Sequence, residues 1–175
     1  MLLAKVIFRK LKEVVYVETE NFVIKKNDCI LIQTDSGLEF ANLLESEKNV
    51  DIDPKEKDIK IYKIVRVCNE EDFRIMKKNQ KYSSEILPKF SEIIKKHNLD
   101  MNLTALEYTY NRDKVFVYYY AENRVDFREL IKELNATFKT KVQMVQIGIR
   151  DESKIIGGIG QCGRVFCCKD FMRNF

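Results

Sequence analysis

The chain is poor in the side chains that catalysis and membrane insertion commonly use. Its 175 residues include no tryptophan, two prolines and one histidine, His97. A histidine in "KKHNLD", at the expected end of a helix, is typical of a cap or a solvated side chain, so no Ser/His/Asp set is indicated. No apolar run approaches the roughly 18 residues of a membrane span, and "MLLAKVIFRK" has no signal-peptide core. The sequence therefore predicts a cytoplasmic protein without membrane insertion.

Short catalytic motifs are also missing. The "GGIG" before Cys162 is not a phosphate loop, because it lacks the lysine and hydroxyl of G-x-x-x-x-G-K-[ST]. No pair of carboxylates stands out from ordinary surface charge. A dithiol catalyst normally shows C-x-x-C at a helix N-terminus, whereas Cys167 and Cys168 are adjacent. We therefore expect that the isolated chain is not an enzyme.

Cysteine is present but unevenly distributed. Three of the five cysteines and four of the six glycines lie in "IIGGIGQCGRVFCC", residues 155–168. Cys29 and Cys68 lie in or at the end of apolar stretches that predict strands, where a free cysteine behaves as a small hydrophobic side chain. Because a reducing compartment disfavours a disulfide framework, the five thiols are expected to be buried free thiols, metal ligands or reactive groups.

The candidate metal ligands are Cys162, Cys167 and Cys168. Their glycine-rich backbone can wrap closely around an ion or a cluster, and Arg164 and Lys169 can stabilise the charge of thiolates. Three thiolates are one fewer than the four ligands that zinc sites and iron–sulfur clusters usually take. A metal site therefore needs a further ligand from elsewhere, and from the spacing alone a tight turn with buried thiols is an equally good interpretation.

The N-terminal part of the chain, residues 1–58, predicts a small antiparallel β domain. Apolar and β-branched residues alternate or cluster between the turn signals "KKND" and "TDSG", as in a barrel or a sandwich. The polar "DIDPKEKD" then resembles a linker.

Residues 59–150 follow the order strand, helix, strand, strand, helix, strand, which is the βαββαβ order of a ferredoxin-like region. Pro88 is expected to kink or split the first helix, and Asp126 with Glu129 predicts a capping box at the second. Residues 151–175 are expected to form a glycine/cysteine-rich loop that continues in full-length relatives. The predicted fold class is α+β.

An aromatic hairpin, "LEYTYNRDKVFVYYY", indicates a second type of function. Arg112 and Lys114 at its turn, with Tyr118 and Tyr120, could bind unstacked bases of single-stranded RNA or DNA, each stack contributing roughly 1–3 kcal/mol. The net charge of +4 has its basic excess after residue 70, which suits either a polyanionic partner or a solvated surface. Half of the aromatics are expected to face the helices, because side chains alternate along a strand.

The motifs "VDFREL", "QIGIRDE" and "GGIGQCGRVFCC" together resemble the bacterial YaaT/RicT family, whose conserved C-terminal region was first named in a yeast polymerase suppressor protein. The resemblance extends over nearly the whole chain. It implies a complex with two small helical partner proteins that binds four-iron four-sulfur clusters and directs an endoribonuclease to selected messenger RNAs. Effects on sporulation, competence and biofilm formation are implied as well.

The resemblance places cluster ligands at Cys162, Cys167 and Cys168. Family members usually continue into a second segment resembling "GLCGRLMCC", whereas this sequence stops at Phe175. The expected cluster is therefore shared with partner chains, and zinc or no metal in this chain alone are the alternatives. The expected function is a noncatalytic adaptor of an RNA-processing complex, and the alternative is a single-stranded nucleic-acid-binding module.

Overall fold

The computed structural model describes residues 2–19, 22, 24–25, 28–49 and 60–167. The chain divides into two compact units, which are Met1–Asn79 with Thr109–Asn111, and Gln80–Tyr108 with Arg112–Phe175. This division falls within the first helix, whereas the sequence predicted boundaries after residues 58 and 150.

Within the described residues, the first unit is built on a closed barrel of five strands. In chain order they are β1 (Leu2–Phe8), β2 (Glu13–Glu18), β3 (Cys29–Thr34), β4 (Gly37–Asn49) and β5 (Ile61–Val67). The order around the barrel is β1-β2-β5-β3-β4, and the neighbours are antiparallel except for the parallel pair β2 and β5. Val6, Ile30 and Ile32 are fully buried in the core of the barrel. Strands β1 to β4 fit the predicted β-rich N-terminal region, whereas the parallel pair β2 and β5 departs from the purely antiparallel pairing that the sequence predicted.

Helix α1 (Glu70–Lys96) begins at a reciprocal capping box. The Asp72 amide donates to Asn69 Oδ1 at 3.0 Å, and the Asn69 amide donates to Asp72 Oδ2 at 2.9 Å. The helix continues through Pro88 without the predicted split. Ile86 and Phe90 on either side of the proline are buried in one cluster, and this packing holds both halves of the helix in place.

The second unit contains a sheet that has three strands among the described residues. These are β6 (Asn102–Tyr108), β7 (Lys114–Tyr120) and β8 (Lys141–Gln146), with β7 antiparallel to β6 and parallel to β8. Helix α2 (Arg128–Phe138) connects β7 to β8. Val115, Val117 and Tyr119 on β7 pack in one buried cluster with Leu130 and Leu134 of α2.

The predicted ferredoxin-like region is not confirmed. The elements do follow the predicted order, but its first strand, β5, belongs to the barrel, where it pairs with β2 and β3. The side chain of Ile64 on β5 lies in the barrel core. Burial of this apolar side chain favours the placement of β5 in the barrel. What the structure has is a mixed α+β fold with a β-rich N-terminal region.

A short helix, α3 (Ile149–Ile156), occupies the start of the segment that was predicted to be a loop. It lies against β6 and β7, and Thr104 Oγ1 donates to Glu152 Oε1 at 3.1 Å. None of the helices in the described ranges is both long enough and apolar enough to cross a bilayer.

Candidate functional site

The cysteine-rich segment after α3 forms a small hairpin. Ile159 and Val165 pair across it, and hydrogen bonds flank the pair: Phe166 N–H donates to Gly158 O at 3.1 Å, and Gly160 N–H donates to Arg164 O at 2.8 Å. A further bond from Gly163 N–H to Gly160 O, at 2.9 Å, closes the turn at its tip. The segment is therefore an ordered turn as far as Cys167.

Two glycines allow this hairpin to close. Gly163 has a φ of 76°, a left-handed conformation that side chains disfavour. Gly158 has a φ of 156°, and a Cβ placed there would lie 2.7 Å from the ring of Phe166. The glycine-rich composition is thus explained by backbone geometry and by the close approach of an aromatic ring.

Two of the three predicted metal ligands can be placed. Cys162 lies at the tip of the hairpin and Cys167 just after it, and both are exposed free thiols. Cys168 lies outside the described residues. Among the residues that the structure describes, no three His, Cys, Asp or Glu side chains are grouped closely enough to hold a metal ion. The assignment of these three cysteines as ligands stays a prediction.

Apolar side chains are exposed in the same segment. Ile159 is 72% exposed and Val165 is 49% exposed, and they form the non-hydrogen-bonded type of cross-strand pair, in which Cα atoms lie about 4.5 Å apart. Ile149 and Ile156, at the two ends of α3, are exposed as well. Exposed apolar side chains that occur together are typical of surfaces that contact another molecule.

The predicted nucleic-acid platform is only partly available. Tyr118 is 1% exposed, and its hydroxyl donates to Glu107 Oε2 at 2.9 Å, so its ring has no free face for a base. The Arg112 guanidinium lies 4.5 Å from the centre of the Tyr82 ring. Lys114 and Tyr120 are partly exposed. Binding of nucleic acid by Arg112, Lys114 and Tyr120 stays a prediction.

A buried carboxylate that the sequence did not reveal lies at the start of α1. Asp72 is fully buried and accepts hydrogen bonds from Arg66 Nη2 at 2.7 Å and from the Tyr110 hydroxyl at 2.9 Å. Burial raises the pKa of Asp72, but the bonds from the Asn69 amide, Tyr110 and Arg66 together outweigh it, so the pKa lies below its usual value. This network anchors Tyr110 and is structural in character.

The sequence interpretation also missed a relation between Cys29 and Cys68. They were interpreted as separate small hydrophobic residues, but Cys29 is the first residue of β3 and Cys68 directly follows β5, and the Cys68 amide donates to the Cys29 carbonyl oxygen. Sequence separation hid this pairing, because nothing local indicates which strands become neighbours.

Comparisons with known proteins give a consistent picture. The family model "PSP1 C-terminal conserved region" matches residues 62–147. Over 170 residues the chain is 37% identical to the stage 0 sporulation protein YaaT of Bacillus subtilis (strain 168). The aligned residues make up 96% of this chain and 60% of that protein. Over 54 residues it is 35% identical to an uncharacterised protein of Schizosaccharomyces pombe, and these residues make up 31% of this chain and 7% of that protein. The chain thus spans less than two thirds of either relative. No solved structure matches it.

Proposed function

This chain belongs to the YaaT family, and we propose that it acts as a noncatalytic adaptor subunit of an RNA-processing complex in the cytoplasm. In this proposal, two small helical proteins join the chain, and the complex directs an endoribonuclease to selected messenger RNAs. The Bacillus relative is named a stage 0 sporulation protein, which supports a role for this chain in sporulation. Roles in competence and biofilm formation belong to the same proposal.

The observation that carries the proposal is the ordered hairpin from Gly158 to Phe166. It presents the exposed thiol of Cys162 beside the exposed pair Ile159 and Val165. Apolar area left in water is unfavourable by roughly 25 cal/mol per Å². Binding of a partner that covers this pair is therefore favourable. A surface that combines thiols with apolar side chains suits assembly better than catalysis by this chain.

The exposed thiols of Cys162 and Cys167 fit the donor chemistry of a shared four-iron four-sulfur cluster, because thiolates are the usual protein ligands of such clusters. Cys168 is the third proposed donor, and the partner chains supply the rest. When bound, the cluster links chains by coordination, so that metal binding and assembly stabilise each other. Zinc is the alternative metal, since it also takes thiolates.

Anaerobic purification of the complex, with iron and sulfide analysis and a visible spectrum, tests the proposal. We expect iron and sulfide in the complex, and we expect Cys162→Ser, Cys167→Ser and Cys168→Ser each to lower metal content and partner recovery. Cys29→Ser, at a buried position in the barrel, is the matched control and should retain both. If the three C-terminal variants assemble normally and retain iron but melt early, the segment is a structural turn and the proposal is wrong.

A further inference from the structure

Cys29 and Cys68 face each other across two neighbouring antiparallel strands. Ile30 of β3 pairs with Val67 of β5, so Cys29 and Cys68 occupy the next pair of positions. The Cys68 amide donates to the Cys29 carbonyl oxygen at 2.9 Å. Cα atoms of hydrogen-bonded partners in such a ladder lie about 5.5 Å apart, within the roughly 4.4–6.8 Å found in disulfides. The Cα separation expected at this position thus falls within the range that a disulfide requires.

The two thiols interact with each other. A hydrogen bond from the Cys68 thiol lowers the pKa of Cys29, although burial and the Asp72 carboxylate raise it. The same hydrogen bond, together with burial and the charge on Cys29, raises the pKa of Cys68. The pair therefore releases its first proton more readily than its second, as expected for strongly interacting sites. One thiolate next to one protonated thiol is the state from which disulfide exchange begins.

One member of the pair, Cys68, is open to small molecules. Cys29 is 7% exposed, but Cys68 is partly exposed. The buried cluster inside the barrel, as far as the structure describes it, contains Ile30 and Ile32 but neither cysteine. Reaction at the pair thus does not require the barrel core to open.

We propose that Cys29 and Cys68 form a redox modification site, which a low-molecular-weight disulfide oxidises to an intramolecular disulfide. The thiolate of the pair attacks one sulfur of the small disulfide, forming a mixed disulfide and releasing one small thiolate. The second cysteine loses its proton and attacks the protein sulfur of the mixed disulfide, which releases the other small thiolate. Two electrons pass from the cysteines to the small disulfide, and the two protons released convert its halves into thiols.

The bond joins β3 to the start of α1. Cys68 directly precedes Asn69, whose amide and side chain form the capping box with Asp72. The disulfide would close a loop of about 40 residues, a length for which cross-linking strongly restricts the unfolded chain. Oxidation therefore stabilises the first unit and fixes the junction of β5 with α1.

The test uses the whole chain and glutathione disulfide as the oxidant. Samples are equilibrated at defined ratios of glutathione disulfide to glutathione, quenched with acid, alkylated and digested with trypsin. We expect a cross-linked species that joins the peptides of residues 27–48 and 67–74. The melting midpoint should rise by roughly 5–10 °C, and dithiothreitol should reverse the rise.

Two matched variants complete the test. Cys29→Ser and Cys68→Ser should each abolish the cross-linked peptide and the rise in melting midpoint. A variant in which Cys162, Cys167 and Cys168 are all serine should retain both effects, because those thiols lie outside the pair. The proposal is overturned if the native chain gives no cross-linked peptide, whether both thiols stay reduced or Cys68 carries only a mixed disulfide. A cross-linked peptide that forms in denaturant alone overturns it as well.

Discussion

At the scale of single residues, Asp72 is the least exposed carboxylate in the part of the chain that the structure describes. It is fully buried, yet its partners, the Arg66 guanidinium, the Tyr110 hydroxyl and the Asn69 amide, keep it ionised. A buried charge with such partners is costly to disturb, because removal of the charge leaves its donors without an equivalent acceptor.

We expect Asp72→Asn to lower the free energy of unfolding by about 2–4 kcal/mol at pH 7. Because the pKa of Asp72 is lower in the folded protein than in the unfolded chain, the carboxylate stabilises fully above about pH 4. This stabilisation is lost as the pH falls through the folded pKa. Urea unfolding from pH 7 to pH 3 should therefore show the difference between the variant and the parent narrow as the pH falls below about 4. Asp126→Asn, at an exposed carboxylate, is the control and should change little. A difference that is constant with pH would contradict the prediction.

At the scale of elements, α1 carries a proline in its interior and still forms one helix. We expect Pro88→Ala to raise the free energy of unfolding by about 1–3 kcal/mol, because alanine restores the missing amide donor and Pro88 is exposed, so little packing is lost. Urea unfolding measures the change. Lys89→Ala, at the neighbouring exposed position, should stay within roughly 0.5 kcal/mol. If Pro88→Ala does not raise the free energy of unfolding, the prediction is wrong and the proline costs the helix no net stability.

The C-terminal hairpin gives a second prediction for an element. Gly158→Ala places a Cβ against the Phe166 ring and should distort the hairpin, whereas Gly160→Ala meets its nearest neighbour, Cys162 Sγ, at an ordinary 3.5 Å. We expect only Gly158→Ala to lower the recovery of partner proteins and iron in the purified complex. Equal recovery with the two variants would show that the hairpin geometry does not matter for assembly.

The elements also show what a sequence can predict. Helix α2 and the hairpin of β6 and β7 were predictable from local periodicity, but the choice of sheet for β5 was not, because the same strand pattern suits a barrel and a ferredoxin-like sheet. Helix α3 was missed because eight residues give too short a periodic signal. Glu129 pairs with Lys132 and Asp126 accepts from the Arg128 amide, so the predicted capping box at α2 is replaced by other local bonds.

The burial of Tyr118 has a physical reason of the same kind. Strand β7 is central in its sheet, and all five residues from Val115 to Tyr119 are buried. Alternation predicts one exposed face, but both faces of this strand are buried, as in strands that are covered on both sides, and α3 lies close to it. The candidate thiols, in contrast, were predictable by composition alone, since their cluster of cysteine and glycine is local.

At the scale of the whole molecule, the net charge of +4 sets the expected behaviour towards nucleic acid. We expect the isolated chain to bind single-stranded RNA weakly, with affinity falling roughly tenfold or more between 50 and 200 mM salt, because scattered basic residues contact phosphates. Fluorescence anisotropy at several salt concentrations measures this. Tyr120→Ala should have little effect. Tight binding that persists at high salt and is lost in this variant would favour the nucleic-acid-binding alternative, whereas Tyr118→Ala is unsuitable because it opens a cavity.

Closure of the barrel through the parallel pair β2 and β5 has a consequence for the order in which the chain folds. Tyr16 pairs with Ile61, so the ring cannot close on the ribosome until β5 has emerged. Before that, β2 and β3 each have an open edge that can add a strand from another chain. Pairings between residues so distant in sequence also form slowly. The nascent chain is thus most exposed to misassembly in the interval between the synthesis of β3 and the arrival of β5.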